Sequence, residues 1–231
     1  MTVLLSAVNI GKLYGLRPVL RGVSLDVARG EFVAILGANG AGKTTLLRIL
    51  ATLARPNGGA LTIGGLDALA HPERARALIG LVSHQPLIYP ELTARENLEF
   101  YGRIYGVPDL AARVETALRR VNLWPRRDDP ARTFSRGMIQ RLTIARAVLH
   151  DPPLLLLDEP FTGLDQASAA NLSALLREAA LHERAVVMTT HELSRGLDGV
   201  TRALILKGGR IAHALERDIT APALAALMTE A

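Results

Sequence analysis

The chain contains no cysteine among its 231 residues. That excludes disulfides, thiolate metal sites and cysteine nucleophiles. No apolar run approaches the roughly 18 residues needed to span a bilayer. Residues 1–10 lack both a basic leader and a long apolar stretch, so no secretory signal is read and a cytoplasmic location is expected. There is no repeat, low-complexity tract or obvious linker. Lysine is scarce as well: Lys12, Lys43 and Lys207 are the only three among 27 basic residues. The net charge of +5 is compatible with an anionic surface or simply with a nucleotide. The basic residues are scattered, and the densest group, Arg119, Arg120, Arg126 and Arg127, lies beside Asp128 and Asp129. It reads as a solvated helix face.

One of the three lysines sits in the most informative stretch, Gly37-Ala38-Asn39-Gly40-Ala41-Gly42-Lys43-Thr44-Thr45. This run fits G-x-x-x-x-G-K-[ST], the P-loop pattern. An apolar strand, Phe32 to Leu36, precedes it, and a helix beginning Leu46-Leu47-Arg48-Ile49-Leu50 follows. In that context glycines bring backbone N–H groups close to an anion at a helix N-terminus. Lys43 would reach the outer phosphates and Thr44 would hold Mg²⁺. A chain that otherwise uses arginine keeps lysine here, where a compact ammonium suits a phosphate cradle better than a planar guanidinium.

The first third is β-rich: Val3–Ile10, Ser24–Val27, Phe32–Leu36 and Ala60–Ile63 are short strands between glycine and proline breaks. A helix opens at Pro72 and a strand covers Ile79–Ser83. From about residue 86 to 134 the pattern is helical, with a capping box at Thr93-Ala94-Arg95-Glu96 and a second helix from Pro108 to Val121. Further helices are expected over Gly137–His150 and Ala167–Leu181. Leu154–Leu157 and Ala185–Thr189 read as buried strands, and Ala203–Leu206 with Arg210–Ala214 as a closing hairpin. The fold class is α/β: a P-loop NTPase core with a mostly parallel sheet, an N-terminal antiparallel β subdomain and a helical insert, all in one domain over 1–231.

Leu154-Leu155-Leu156-Leu157-Asp158-Glu159 is an apolar strand ending in two acids. A parallel strand delivers them to the C-terminal sheet edge, where ligands bind in such folds. Asp158 would serve Mg²⁺, and Glu159 would orient or deprotonate an attacking water. Ser135 is a helix N-cap followed by Arg136 and Gly137, a second place for an anion; alone, this is equally an ordinary capped helix. Gln85 follows one strand and is a candidate for Mg²⁺ or the water. His191 ends another and is placed to hydrogen-bond a γ-phosphate. Singly, such residues are more often structural.

In this order the residues resemble the ATP-binding subunit of ABC transporters, over roughly residues 3–215. Gly37–Thr45 looks like the Walker A loop, and Gln85 like the Q-loop glutamine. Phe134-Ser135-Arg136-Gly137-Met138-Ile139-Gln140-Arg141 looks like the signature motif. Leu154–Glu159 looks like Walker B, Thr162-Gly163-Leu164-Asp165 like the D-loop, His191 like the H-loop histidine, and Tyr14 like the aromatic that stacks on adenine. The resemblance implies ATP and Mg²⁺, with Thr44, Gln85 and Asp158 serving the metal. It implies catalysis by Glu159, His191, Gln85 and Lys43, and nucleotide contacts from Tyr14, Gly37, Asn39, Gly40, Ala41, Gly42, Lys43, Thr44, Thr45, Ser135, Arg136 and Gly137. It also implies a homo- or heterodimer with two ATPs between the subunits, Ser135 and Gly137 of one completing the site of the other. The helical insert would dock on an integral membrane permease, which puts the chain peripherally on the cytoplasmic face of the inner membrane. No nucleic-acid partner is expected. Two departures stand out: Arg136 replaces the first glycine of the signature, and Met138 its final glutamine. An arginine there is expected either to contact ATP or the partner, or to slow closure, giving a working but slow ATPase.

The wording of residues 82–101, 134–138 and 161–165 looks like the haem exporter of c-type cytochrome maturation. Drug and polysaccharide exporters are the wider alternative. A competing class is an ABC ATPase acting on nucleic acid or ribosomes, but no heptad run separates Lys43 from Asp158 and only one cassette is present. A P-loop kinase leaves Ser135–Gly137 and His191 unexplained.

Overall fold

The computed structural model describes residues 2–229 apart from 165, 182, 193–195 and 218. Two long strands open the chain, β1 (Val3–Tyr14) and β2 (Arg17–Ala28), followed by β3 (Phe32–Leu36) and helix α1 (Lys43–Leu50). Then come β4 (Gly58–Ile63), β5 (Leu66–Asp67), α2 (Pro72–Arg76) and β6 (Ile79–Val82). Three helices follow, α3 (Ala94–Ile104), α4 (Leu110–Arg120) and α5 (Arg136–Val148). The remainder is β7 (Leu154–Asp158), α6 (Gln166–Leu181), β8 (Ala185–Thr190), β9 (Arg202–Lys207), β10 (Arg210–Leu215) and α7 (Ala221–Thr229).

Two sheets result. A four-stranded antiparallel sheet runs β2-β1-β4-β5, and a six-stranded sheet runs β10-β9-β3-β8-β7-β6. In the second, β6, β7, β8, β3 and β9 pair in parallel and only β10 is antiparallel. Every residue of β3, β7 and β8 is buried. Their alternation divides the interior: Val33, Ile35, Leu154, Leu156 and Val187 face α1 and the antiparallel sheet. Phe32, Ala34, Leu36, Leu155, Leu157, Val186 and Met188 face α6 and α7. An uninterrupted apolar run is what a strand buried on both faces requires.

β1 and β2 extend well past the short strands expected. None of the positions that β1 adds, Gly11 to Tyr14, is buried, and of those that β2 adds only Leu20 and Val23 are; Asn9, at φ 54°, marks a shift in pairing register. Helix α7 has no counterpart in the expected pattern. It carries no charge to mark a polar face, yet Leu224 is fully buried beneath it.

The α3–α5 helices enclose a third core, with Leu98, Val114, Leu118, Leu142, Ala145 and Leu149 inside. The capping box at the start of α3 is formed: Glu96 N donates to Thr93 Oγ1 at 3.1 Å and Thr93 N to Glu96 Oε2 at 2.8 Å. The approach to α3 is fixed by Asn97, which is fully buried. Its Oδ1 accepts from Tyr89 N at 2.8 Å, and its Nδ2 donates to the carbonyls of Tyr89, Leu92 and Thr93 at 3.0, 3.2 and 2.9 Å. The arginine cluster is paired on the surface, Arg119 with Glu115, Arg126 with Asp129 and Arg127 with Asp128. Arg95, Arg119 and Arg127 also surround the Trp124 ring.

Replacing Asn97 by leucine keeps the branching and the number of heavy atoms but strands the buried groups at residues 89–93. Asn97→Leu is expected to lower the unfolding free energy by about 3 kcal/mol in urea titration; a loss under about 1 kcal/mol would show that the loop does not depend on this side chain.

Candidate functional site

The loop between β3 and α1 carries Gly37 to Gly42. Gly42 precedes the helix at φ 107°, a conformation that side chains resist, and it directs Lys43 inward. Lys43 is only 5% exposed. Its Nζ donates to the carbonyls of Gly37 and Ala38 at 2.8 and 3.2 Å and lies 3.8 Å from Glu159 Oε1. Burial pulls its pKa below that of an ordinary lysine; the Glu159 and Asp158 carboxylates oppose this but do not cancel it.

Strands β7 and β8 end side by side, with Asp158 paired to Thr189 in the parallel register. Thr189 Oγ1 donates to Asp158 Oδ1 at 2.6 Å, and Thr44 Oγ1 donates to the same oxygen at 3.3 Å. Glu159 then leaves the sheet at φ 50°. Its N–H is held by the Thr189 carbonyl at 3.0 Å and by Thr189 Oγ1 at 3.2 Å. The turn sends its carboxylate back towards the loop, where Oε1 lies 3.0 Å from His191 Nδ1. One carboxylate oxygen is thus flanked by an ammonium and an imidazole.

A cavity of about 380 Å³ joins these groups to Tyr14: it is lined by Tyr14, Arg17, Val19, Asn39, Gly40, Gly42, Lys43, Thr44, Thr45 and Glu159. The Tyr14 ring is half exposed at the mouth, with Lys12 Nζ 5.2 Å from its centroid. The cavity therefore offers an aromatic face at one end and a basic, N–H-rich loop at the other, the two ends a nucleotide needs. A second cavity, about 450 Å³, lies against the same loop, between Arg17, Arg21, Lys207 and Met228. Thr44 Oγ1 and Asp158 Oδ1 are hard oxygen donors beside the phosphate loop, a set that suits Mg²⁺, which takes few protein ligands and keeps waters and phosphates.

Not every expected residue joins this cleft. Gln85 is exposed in the loop after β6, and the structure gives its side chain no hydrogen bond to Thr44, Asp158 or Glu159. Its neighbours Ser83 and His84 instead line a small cavity of about 150 Å³ with Arg136, Gln140, Asp158 and Glu159. Ser135 caps α5, accepting from Met138 N at 3.3 Å, and neither Ser135 nor Gly137 lines the loop's cavities. Asp165 lies outside the described residues. Sequence reasoning missed the role of Thr189, although its place at the end of a strand parallel to β7 was the signal. It also missed Arg17 and Val19, which only the long β2 brings to the cleft.

A family model described as ABC transporter matches residues 20–162. The chain is 38% identical over 175 residues to the ABC transporter ATP-binding protein NatA of Bacillus subtilis (strain 168), a match covering 74% of this chain and 71% of that one. It is 35% identical over 211 residues to the Nod factor export ATP-binding protein I of Ralstonia nicotianae (strain ATCC BAA-1114 / GMI1000), covering 90% of this chain and 66% of that one. Both relatives thus extend beyond the matched region. Among solved structures, an ATP-binding cassette in a dimeric post-hydrolysis state with ADP and Pi superimposes with a TM-score of 0.84 at 27% identity, covering 92% of this chain and 98% of the other.

Because Lys43 holds its proton less tightly when folded than the 10.5 of a free lysine, its charge opposes folding wherever it is protonated in both states. That penalty fades as the pH climbs from the lowered value towards 10.5. Lys43→Met is therefore expected to leave the nucleotide-free protein at least as stable at pH 7, measured by chemical denaturation, while weakening ATP binding about 100-fold or more. Equal loss of stability and affinity would contradict this balance.

Proposed function

The chain belongs to the ABC transporter ATP-binding family and is an ATPase of that fold, and on this premise we propose that it is the ATP-hydrolysing subunit of an exporter. It works as a dimer, peripheral on the cytoplasmic face of the inner membrane, beneath a separate permease. The observation that carries this reading is Glu159, whose Oε1 lies 3.0 Å from His191 Nδ1 and 3.8 Å from Lys43 Nζ at the end of the phosphate-loop cleft.

Each side chain has a task in that reading. Tyr14 stacks on adenine. The loop N–H groups from Gly37 to Thr45 and the Lys43 ammonium bind the β- and γ-phosphates, the ammonium exchanging the Gly37 and Ala38 carbonyls for phosphate oxygens. Thr44 and Asp158 hold Mg²⁺, whose contribution is to neutralise charge on the phosphate oxygens. Glu159 orients a water and accepts its proton as the oxygen bonds to the γ-phosphorus and the bond to the bridging oxygen breaks, releasing ADP. His191, donating from Nδ1, holds that carboxylate in line. Ser135, the exposed N-cap of α5, and Gly137, half-buried in its first turn, lie apart from their own loop and serve the γ-phosphate bound by the second subunit, and Gln85 joins on closure.

The permease face is supported by a cluster of exposed apolar side chains at the insert: Leu87, Tyr89, Phe100, Ile104 and Tyr105. Tyr89 and Phe100 meet edge to face at 5.0 Å. Ile104 is 63% exposed. Contiguous exposed apolar groups of this kind suit a protein partner. No described helix is long and apolar enough to cross a membrane; in this reading the permease supplies the path for cargo. The export of an organic compound is the cargo reading supported by the Nod factor export relative. Haem export for c-type cytochrome assembly is the second, supported by the wording of residues 82–101, 134–138 and 161–165. Stimulation of ATP hydrolysis in permease-containing vesicles by haem, set against amphiphilic drugs and oligosaccharides, separates the two.

Glu159→Gln is expected to cut ATP turnover by about 10²–10³-fold and to leave an ATP-dependent dimer on size exclusion; unchanged turnover would sink the assignment. Ile104→Glu puts a charge into the apolar face and is expected to release the chain from permease-containing membranes on fractionation. Retention at the wild-type level, in protein that melts normally, would remove this face from the interface.

A further inference from the structure

Arg136 is the departure from the signature pattern, and its side chain has a definite place. A Cβ added to Gly163 would lie 2.6 Å from Arg136 Cζ, 2.7 Å from Nε and 2.9 Å from Nη1. The guanidinium therefore fills the space that any side chain at 163 would need. Gly163 is at φ 74°, so both its conformation and its bare surface depend on having no side chain. One helical turn further along α5, Gln140 Nε2 donates to the Pro160 carbonyl at 3.0 Å. Residues 136 and 140 share one face of the helix, and that face lies on the turn issuing from Glu159. The turn closes on itself through Thr162 N to Glu159 O and Leu164 N to Phe161 O, both 3.2 Å. On its other side Thr189 holds the Glu159 N–H. Arg136 also lines the 150 Å³ cavity that it shares with Asp158, Glu159 and His84.

We propose that Arg136 is a positioning residue that fastens the turn 160–163 to the start of α5 in its own subunit, and so fixes the backbone from which Glu159 projects, instead of contacting the nucleotide held by the partner. The inference rests on the reading of Glu159 as the group that orients the water. Two contacts, Arg136 on Gly163 and Gln140 on Pro160, join the α5 N-terminus and the Glu159 turn into one body. A planar guanidinium can lie flat on a glycine peptide; the ammonium of lysine cannot. The N-terminus that meets one ATP across the dimer is thereby tied to the carboxylate that works on the other.

Steady-state ATP hydrolysis by the purified full chain tests this with Arg136→Gly, Arg136→Lys, Gly163→Ala and the Arg136→Gly/Gly163→Ala pair. Arg136→Gly is expected to lower kcat about fivefold to tenfold and to leave KM for ATP within about twofold. Arg136→Lys recovers less than half of that loss. Gly163→Ala displaces the guanidinium and lowers kcat similarly, and the double variant is no slower than Gly163→Ala alone. A rise in KM at unchanged kcat would assign the guanidinium to nucleotide. Unchanged kinetics, full rescue by lysine, or losses that multiply in the double variant would equally overturn the proposal. Should Gly163→Ala fail to fold, the glycine and lysine variants at 136 decide alone. Glu159→Gln run alongside separates the failures: full turnover in that variant removes the underlying reading, whereas lost turnover with the outcomes just given removes only the role of Arg136.

Discussion

The constraint on which the rest depends is the parallel alignment of β3, β8 and β7. All three strands are buried on both faces, so polar side chains are tolerated only where each strand leaves the sheet. The register pairs Leu36 with Thr190 and Asp158 with Thr189, so the three exits are level. The phosphate loop, the acidic pair and His191 are therefore neighbours by virtue of strand alignment, though far apart in the chain. Chemistry gathers at this edge because these three strands carry polar side chains only at their C-terminal ends.

At that edge the groups compensate one another. A buried ammonium is costly, and here two loop carbonyls and a carboxylate meet it. Glu159 takes up a left-handed backbone conformation that costs a side-chain-bearing residue about 1–2 kcal/mol. Its bonds to Thr189 hold it there, and the conformation is what turns the carboxylate from the sheet axis towards Lys43 and His191. Local strain and charge are thus both held by β8, the strand that contributes no acid of its own.

How much of this was legible depends on whether a residue's environment leaves a local pattern. The four leucines before Asp158, the strand before Gly37 and the capping box at Thr93 announced themselves because burial and capping act through adjacent positions. The outer parts of β1 and β2 did not, since Gly11 to Tyr14 bury no side chain and Arg17 to Val23 bury only Leu20 and Val23, too few to leave a period. Helix α7 was silent because an alanine-rich segment without charge shows no polar face. Within the site, the loop, Asp158, Glu159, His191 and Tyr14 were identified from motifs, and the structure brings them to one cleft. Gln85 shows why a motif does not fix a side chain: its loop leaves it in solvent. The contact of Arg136 with Gly163 was beyond reach, because it depends on a missing Cβ 27 positions away in the chain.

The scarcity of lysine takes on a spatial meaning once the fold is known. Lys43 is in the phosphate loop, Lys12 is beside the Tyr14 ring, and Lys207 borders the cavity on the loop's other flank. All three amines of the described side chains ring one end of the molecule, while the rest of the surface carries only guanidinium. A reagent that acylates lysine amines will therefore mark the nucleotide end and leave the helical insert untouched, with Lys207 open, Lys12 tied to the Arg55 carbonyl and Lys43 shielded by its own loop's carbonyls. The distribution of three amines thus gives the site a chemical address of its own.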